Sequence, residues 1–322
     1  MLSGAFRSRL LISLAALTIG VSLLGLPAAT AAPGPVTGLT GVPQPPKVVS
    51  VAWDAYTGFG VDLDHYEVTV EPGTRFQQVP DGVTSVLFKD LSWSESYTVT
   101  VVAVDGVGTK SEPAELKLRG TKLSGTVNPS IVSRGRNATV SGSLLWPNDD
   151  PIANAQVVVM RAFYPEPFPA SKFKKVGTVT TNSKGRFALK TPALQKAQYR
   201  VLYLGQPVTT PTVGGWDSNI TLSVTTPITF SMSPNPVRFG NQVRFAGKVQ
   251  APGTLVSGEA IHLQHKVSGK WKTVKSGAVK SDSSYSIKFQ PRNNSDQAWR
   301  VTTGRSEYFA PSVSRPKVLV VR

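Results

Sequence analysis

The chain has 322 residues, of which 35 are Lys or Arg, 19 are Asp or Glu and none is Cys, so its formal net charge is +16 at pH 7. A chain of this length holds two or three domains rather than one continuous core. The lack of cysteine excludes a small disulfide-stapled scaffold, so each domain must be stabilised by a hydrophobic core of ordinary size.

The N-terminal segment has the pattern of a cleaved leader. Two arginines precede the apolar run LLISLAALTIGVSLLGL, and small residues at Ala29 and Ala31 follow it. This order predicts a signal peptide at residues 1–31 and a secreted protein, extracellular or loosely associated with the cell envelope. A run of about 17 apolar residues could also just span a bilayer as an anchor. The break at Pro27 and the small residues after it favour cleavage.

Residues 33–120 alternate apolar and polar positions as short β-strands do. The stretches VVSVAWDA, LDHYEVTV and YTVTVVA place Trp53, Tyr66 and Tyr97 on apolar strand faces, and Leu91 precedes Tyr97 by six residues. Together with the glycine-containing turn that follows, this pattern resembles a fibronectin type III domain. The resemblance implies a β-sandwich in which the buried Tyr97 returns a hydrogen bond to backbone near Leu91. Trp53, Tyr66, Leu91 and Tyr97 are therefore predicted to be structural.

Residues 121–226 and 227–322 contain matching pieces in the same order. SRGRNATVSG parallels RFGNQVRFAG, NAQVVVMR parallels GEAIHLQH, and FKKVGTVTTNSKGRF parallels WKTVKSGAVKSDSSY. Short alternating runs between Gly, Pro, Asn and Asp clusters predict a β-sandwich for each segment. Both segments resemble the immunoglobulin-like repeats of exported actinobacterial proteins. The expected fold class is all-β, with three tandem immunoglobulin-like β-sandwich domains.

Charge is spread unevenly over these three domains. Residues 33–120 carry 6 Lys and Arg against 11 Asp and Glu, a net charge of −5. Residues 121–226 carry 12 against 4, and residues 227–322 carry 15 against 4. An acidic domain is therefore followed by two basic ones, and binding to an anionic partner is expected in the basic pair.

Two lysine clusters, SKFKK and VSGKWKTVK, make the field of the basic pair together with SKGR and the terminal RPK. The candidate anion-binding residues are Lys172, Lys174, Lys175, Lys270, Lys272 and Lys275. Such clusters attract polyanions, including envelope phosphates and acidic polysaccharides, over a screening length of about 8 to 10 Å. Lysines on strand edges also deter edge-to-edge pairing, so a solvated face is the competing interpretation. Nucleic acid is not an expected partner, because strand alternation puts Trp271 opposite its flanking lysines.

Three tryptophans in predicted loops or turns are candidate sugar-stacking residues. They are Trp93, Trp146 and Trp216. An indole ring can stack on a sugar through its apolar face, although packing is the commoner use of any single tryptophan. Trp271 and Trp299 align with Phe173 and Tyr199 of the first repeat and are assigned to structure.

The sequence holds no recognisable catalytic constellation, so no catalytic residue, metal site or cofactor is predicted. His262 and His265 are three residues apart on a predicted strand and point to opposite faces. The carboxylates of the basic domains lie mostly in turns, without the convergent pair that glycoside hydrolysis needs. We interpret the chain as a spacer or adhesion array that binds envelope polyanions or an extracellular polysaccharide. The alternative is an accessory protein of a polysaccharide-degrading glycoside hydrolase system, because fibronectin type III domains often accompany such enzymes.

Overall fold

Short strands account for nearly all of the regular structure, which confirms the all-β prediction. The computed structural model describes residues 33–44, 48–205, 214–292 and 295–322. The helical pieces in these ranges are a single turn at Gly253–Val256 and a 3₁₀ turn at Ala170–Lys172. Across the same ranges, no helix is long and apolar enough to cross a membrane. The predicted signal peptide lies outside the described residues.

The first sandwich consists of two sheets with the strand orders β1-β2-β5 and β4-β3-β6-β7. Its strands are β1 Thr40–Gln44, β2 Val48–Ala52, β3 Leu63–Glu71, β4 Arg75–Pro80, β5 Ser85–Lys89, β6 Tyr97–Asp105 and β7 Ala114–Leu118. Successive side chains of a strand point to opposite faces, and only one face of each sheet meets the other sheet. Val68 on β3 and Val99 and Val101 on β6 are therefore fully buried in the core.

An aromatic group anchors this sandwich. Trp53 and Tyr66 are both buried and meet edge to face, with their ring centroids 5.2 Å apart. The hydroxyl of Tyr97 accepts a hydrogen bond from the backbone N–H of Ser92 at 2.8 Å and donates one to the Glu95 carboxylate at 3.0 Å. Burial raises the pKa of Tyr97, so the phenol stays protonated as this donor. The buried Leu91 directly precedes Ser92 and completes the corner.

Removing the Tyr97 hydroxyl should weaken this sandwich measurably. Tyr97→Phe leaves the Ser92 N–H without its acceptor, and a buried unsatisfied group costs about 1–3 kcal/mol. We expect hydrogen exchange of the β3 and β6 amides to report a loss of this size in the free energy of opening. Tyr56→Phe is the matched control, because the Tyr56 hydroxyl bonds the Gly34 carbonyl at an exposed position. Equal losses in the two variants would contradict a structural role for the Tyr97 hydroxyl.

The second and third sandwiches follow along the chain. The second contains β8 Lys122–Asn128, β9 Ile131–Ser133, β10 Asn137–Leu145, β11 Gln156–Phe163, β12 Lys174–Thr180, β13 Arg186–Pro192, β14 Ala197–Tyr203 and β15 Gly215–Thr225. The third contains β16 Ser231–Ser233, β17 Val243–Lys248, β18 Ala260–Val267, β19 Lys270–Ala278, β20 Ser284–Phe289, β21 Gln297–Thr303 and β22 Lys317–Leu319. The sheet orders are β13-β10-β8 and β12-β11-β14-β15-β9 in the second, and β16-β17-β20 and β19-β18-β21-β22 in the third.

These two sandwiches repeat each other in strand register. Arg161 pairs with Tyr199 between β11 and β14, and His265 pairs with Trp299 between β18 and β21. The internal repeat found in the sequence is therefore present in the strand pairing. The exact domain limits at residues 120 and 226 stay predictions, although the sheets change between β7 and β8 and between β15 and β16.

Candidate anion-binding site

Trp93 lies inside the molecule, which corrects its assignment as a sugar-stacking residue. Its side chain is 8% exposed, and Gly214 packs so closely on the ring that a Cβ at that position would overlap it. The Trp93 carbonyl accepts the N–H of Thr121 at 2.6 Å, and the Thr121 hydroxyl donates to the carbonyl of Gly214. The ring therefore seals the junction between the first and second sandwiches.

Trp146 belongs to the same junction. The guanidinium carbon of Arg119, in the segment after β7, lies 3.8 Å from the centroid of the Trp146 ring. This cation–π contact ties the first sandwich to the second and occupies one face of a half-buried ring. The backbone of Trp216 lies in β15 and pairs with Leu202, whereas the side chain of Trp216 lies outside the described part of the structure. The buried Trp93 therefore offers no open platform for a sugar, and one face of the Trp146 ring is already occupied by Arg119.

The two predicted lysine clusters do not converge. Lys174 and Lys175 are exposed on β12, and Lys270, Lys272 and Lys275 are exposed on β19. Both β12 and β19 are edge strands of separate sheets. Lysines on exposed edges deter edge-to-edge pairing, which favours the solvated-face interpretation for both clusters.

Two of the remaining basic side chains are held by neighbouring groups. Lys172 turns back onto its own loop, where its ammonium donates to the carbonyls of Pro165 and Pro167. Beside the other cluster, Arg300 on β21 lies over the ring of Trp271, with its guanidinium carbon 4.3 Å from the centroid. These contacts fit the structural role predicted for Trp271 and leave Lys172 occupied.

A different set of cations converges between the second and third sandwiches. The crevice there has a volume of about 840 Å³ and is lined by Arg134, Arg136, Arg315 and Lys317. Among the described residues that line it there is no Asp or Glu. Arg136, Arg315 and Lys317 are exposed and take part in none of the ion pairs of the described chain. We call this feature the basic crevice.

The fold brings these cations together from distant parts of the sequence. Arg134 and Arg136 flank Gly135, whose φ of 85° forms the turn between β9 and β10. Strand β9 pairs in parallel with the end of β15, so this turn lies beside the connection to the third sandwich. Arg315 and Lys317 approach from the other side, at the start of β22.

Hydrogen bonds across the junction hold the crevice walls in place. Arg134 donates from Nε to the carbonyl of Leu194 in the second sandwich at 3.1 Å and from Nη1 to that of Gln250 in the third at 3.5 Å. The buried Thr226 donates its N–H to the Ser312 hydroxyl at 2.7 Å. These bonds fix the walls of the crevice, and its exposed cations offer charged donors to an anionic ligand.

The cavity beside Glu259, whose carboxylate interacts electrostatically with that of Glu307, has no room for a sugar. Burial raises the pKa of Glu259, and the charge of Glu307 adds to the shift. The cavity beside Glu259 has a volume of only about 10 Å³, about the space that a single water molecule needs. The described residues also contain no group of three or more His, Asp or Glu placed to hold a metal ion.

Comparison with known proteins assigns the first sandwich. Residues 34–117 match the family model of the fibronectin type III domain, as the sequence predicts. No curated protein sequence matches the chain. The solved structure of the chicken CNTN1 FN1-FN3 domains matches over 90% of this chain and 99% of its own length, at 16% identity and a TM-score of 0.22. An overlap of that quality carries no functional argument, and the likeness of the later sandwiches to bacterial immunoglobulin-like repeats stays a prediction.

Domains of the fibronectin type III family are typically non-catalytic modules that bind or space, and in this chain the family model covers residues 34–117. The match covers the acidic first sandwich, whereas the basic crevice lies in the other two. In the sequence, RPK is part of the basic field and SRGR begins a repeat segment, and about 180 residues separate the two. The turn at Gly135 reaches the third sandwich because β9 pairs in parallel with the end of β15. This is a long-range contact, and the short-range periodicity of the sequence does not predict it.

Proposed function

We propose that the chain is a secreted, non-catalytic adhesion array that holds an anionic cell-envelope polymer in the basic crevice. The observation that carries this proposal is the convergence of Arg134, Arg136, Arg315 and Lys317 in one crevice whose described lining has no acid. Secretion rests on the predicted signal peptide.

The charge pattern suits a ligand with phosphate groups repeated along a chain. Guanidinium groups bind phosphate through paired hydrogen bonds, and a cleft lined by one sign of charge concentrates counter-ions. A long ligand can continue from the crevice over the second and third sandwiches, which carry net charges of +8 and +11. The first sandwich has a net charge of −5 and repels such a polymer. Its role in the proposal is that of a spacer.

The sealed junction between the first and second sandwiches supports the spacer role. Trp93 is buried against Gly214, and Arg119 covers Trp146 at the same junction. A connection held by such packing transmits position better than a flexible linker does. The first sandwich is then held at a fixed distance from the bound polymer.

Salt dependence tests the proposed function. We expect the affinity of the full chain for fluorescently labelled inorganic polyphosphate to fall about 50-fold between about 50 and 200 mM salt, because about four phosphate contacts release counter-ions. The measurement is fluorescence anisotropy, with an uncharged soluble glucan as the control ligand. Polyphosphate binding that survives high salt, or equal binding of the glucan, would contradict a site built on charge.

A further inference from the structure

An arginine lies over an aromatic ring at the same place in the second and third sandwiches. The guanidinium carbon of Arg200 is 3.6 Å from the centroid of the Phe173 ring, and that of Arg300 is 4.3 Å from the centroid of the Trp271 ring. The two pairs are equivalent, because each arginine directly follows the buried aromatic residue at the matching register of β14 or β21. The sandwiches therefore share this contact, and they differ in what covers it.

In the second sandwich, a loop of the chain covers the pair. Residues 164–173 connect β11 to β12 and begin with the segment YPEPFP. The Phe168 ring lies 6.1 Å from the Phe173 ring, and the Phe168 carbonyl accepts a hydrogen bond from Nη2 of Arg200 at 3.4 Å. Phe173, beneath this loop, is only 4% exposed. The cover therefore provides one aromatic ring and one backbone carbonyl.

The third sandwich lacks this cover in the part of the chain that the structure describes. Strands β18 and β19 are joined by the tight turn 268–269, in which both residues have positive φ. Trp271 is half-buried, in contrast to the 4% exposure of its equivalent Phe173. The Arg300 guanidinium donates from Nε to Oε1 of Gln264 at 2.8 Å, so its orientation over Trp271 is fixed before any ligand arrives.

A row of side chains continues from Trp271 across the outer face of this sheet. Trp271 pairs with Lys266 between β19 and β18, and Ala298 pairs with Val318 between β21 and β22. Strand β18 pairs with β21 beside them, and Val318 is 54% exposed. Three strand spacings place the ends of this row about 14 Å apart, which is within the roughly 19 Å that six residues of polyproline II span. An extended hexapeptide is therefore long enough to reach from Trp271 to Val318.

We propose that the outer face formed by Trp271, Arg300 and Val318, which we call the docking face, binds a proline-rich peptide segment of a partner protein. The segment carries an aromatic residue between its prolines. The second sandwich provides the template for this chemistry, since the equivalent pair takes an aromatic ring beside Phe173 and a carbonyl oxygen on Arg200. Prolines suit the path, because a preformed polyproline II segment loses little conformational entropy when it docks on aromatic groups.

The segment of this kind in the chain itself is already engaged. The Lys172 ammonium donates to the carbonyls of Pro165 and Pro167, and Lys196 lies over the Tyr164 ring with Nζ 3.7 Å from its centroid. Because these contacts hold the loop on its own sandwich, its release to a second copy would break them. The occupant of the docking face is therefore a different protein. The proposal goes beyond polymer binding in the basic crevice and does not rest on it.

The test is an NMR titration of the full chain with the end-capped peptide Tyr-Pro-Gln-Pro-Phe-Pro. The peptide copies residues 164–169 with glutamine in place of Glu166, which removes the charge that the basic crevice attracts. We expect the indole N–H signal of Trp271 and the Nε–H signal of Arg300 to shift on binding. A peptide with alanine in place of phenylalanine should bind at least about tenfold more weakly, because the aromatic contact is lost. No shift at millimolar peptide, equal binding of the two peptides, or shifts confined to the basic crevice would overturn the proposal.

Substitutions in the chain test which side chains hold the peptide. Arg300→Lys keeps the charge but loses the planar guanidinium, and it should lower the peptide affinity at least about tenfold. Trp271→Phe copies the second sandwich and should keep the affinity within about threefold, because an aromatic ring remains under Arg300. Arg244→Lys is the matched control, because Arg244 donates from Nε to the Ser286 hydroxyl at 2.9 Å on the other sheet. Equal losses in the two arginine variants would contradict a site on the docking face.

Sedimentation velocity distinguishes a partner protein from a second copy of the chain. We expect the sedimentation coefficient of the full chain to stay constant over the concentrations used in the titration. Self-association that Arg300→Lys abolishes would identify a second copy as the occupant of the docking face, and would overturn its assignment to a partner protein.

Discussion

Replacing Arg136, Arg315 and Lys317 together by glutamate should reduce the affinity for inorganic polyphosphate at least about 100-fold. These three side chains are exposed cations of the basic crevice, whose described lining contains no acid. Their replacement removes most of the phosphate contacts and adds like-charge repulsion, at a cost of at least about 3 kcal/mol. Fluorescence anisotropy at low salt measures the change, and circular dichroism checks that the sandwiches remain folded.

A matched triple variant separates the crevice from the general field. Lys270, Lys272 and Lys275 are exposed on β19, and their replacement by glutamate changes the net charge by the same amount. They lie on an edge strand and outside the crevice lining, so we expect an effect of at most about threefold at physiological salt. Equal losses in the two triple variants would show that net charge alone drives binding.

Trp93→Ala should open the junction between the first and second sandwiches. The ring is buried against Gly214, and truncation of a buried tryptophan costs about 3–5 kcal/mol. The Thr121 amide, which donates to the Trp93 carbonyl at 2.6 Å, should exchange its hydrogen at least about 100-fold faster because the junction opens more often. Small-angle scattering should show a broader range of particle lengths.

The matched control for this junction is Trp146→Ala. Trp146 is half-buried and holds Arg119 by a cation–π contact, which is worth about 0.5–2 kcal/mol. Its effect on the exchange of the Thr121 amide should therefore be smaller than that of Trp93→Ala. An unchanged exchange rate and scattering curve in Trp93→Ala would contradict a sealed junction.

Alternation of apolar residues was enough to predict the sandwiches and the placement of Tyr97. Tyr97 and Leu91 are close in sequence, and the corner that they form depends on a hydrogen bond to nearby backbone. A short sequence pattern is therefore enough to predict this corner. The internal repeat was equally visible, because the same strand registers need the same spacing of apolar residues.

Contacts between sandwiches could not be predicted in this way. Trp93 lies in a turn of its own domain, and its burial comes from Gly214, more than 100 residues later in the chain. The basic crevice likewise needs the turn at Gly135 and the start of β22 on opposite walls. The lysine clusters suggest an anion site in the sequence, yet their β12 and β19 lysines lie on edge strands, where charge deters edge-to-edge pairing.

The most direct test of the central claim is an NMR map of polyphosphate binding to the full chain. The account predicts that amide and guanidinium signals shift first at residues 133–136, 225–229 and 312–317, the segments that form the basic crevice. Shifts confined to β12 and β19, or spread evenly over the basic sandwiches, would contradict a built anion site in the crevice.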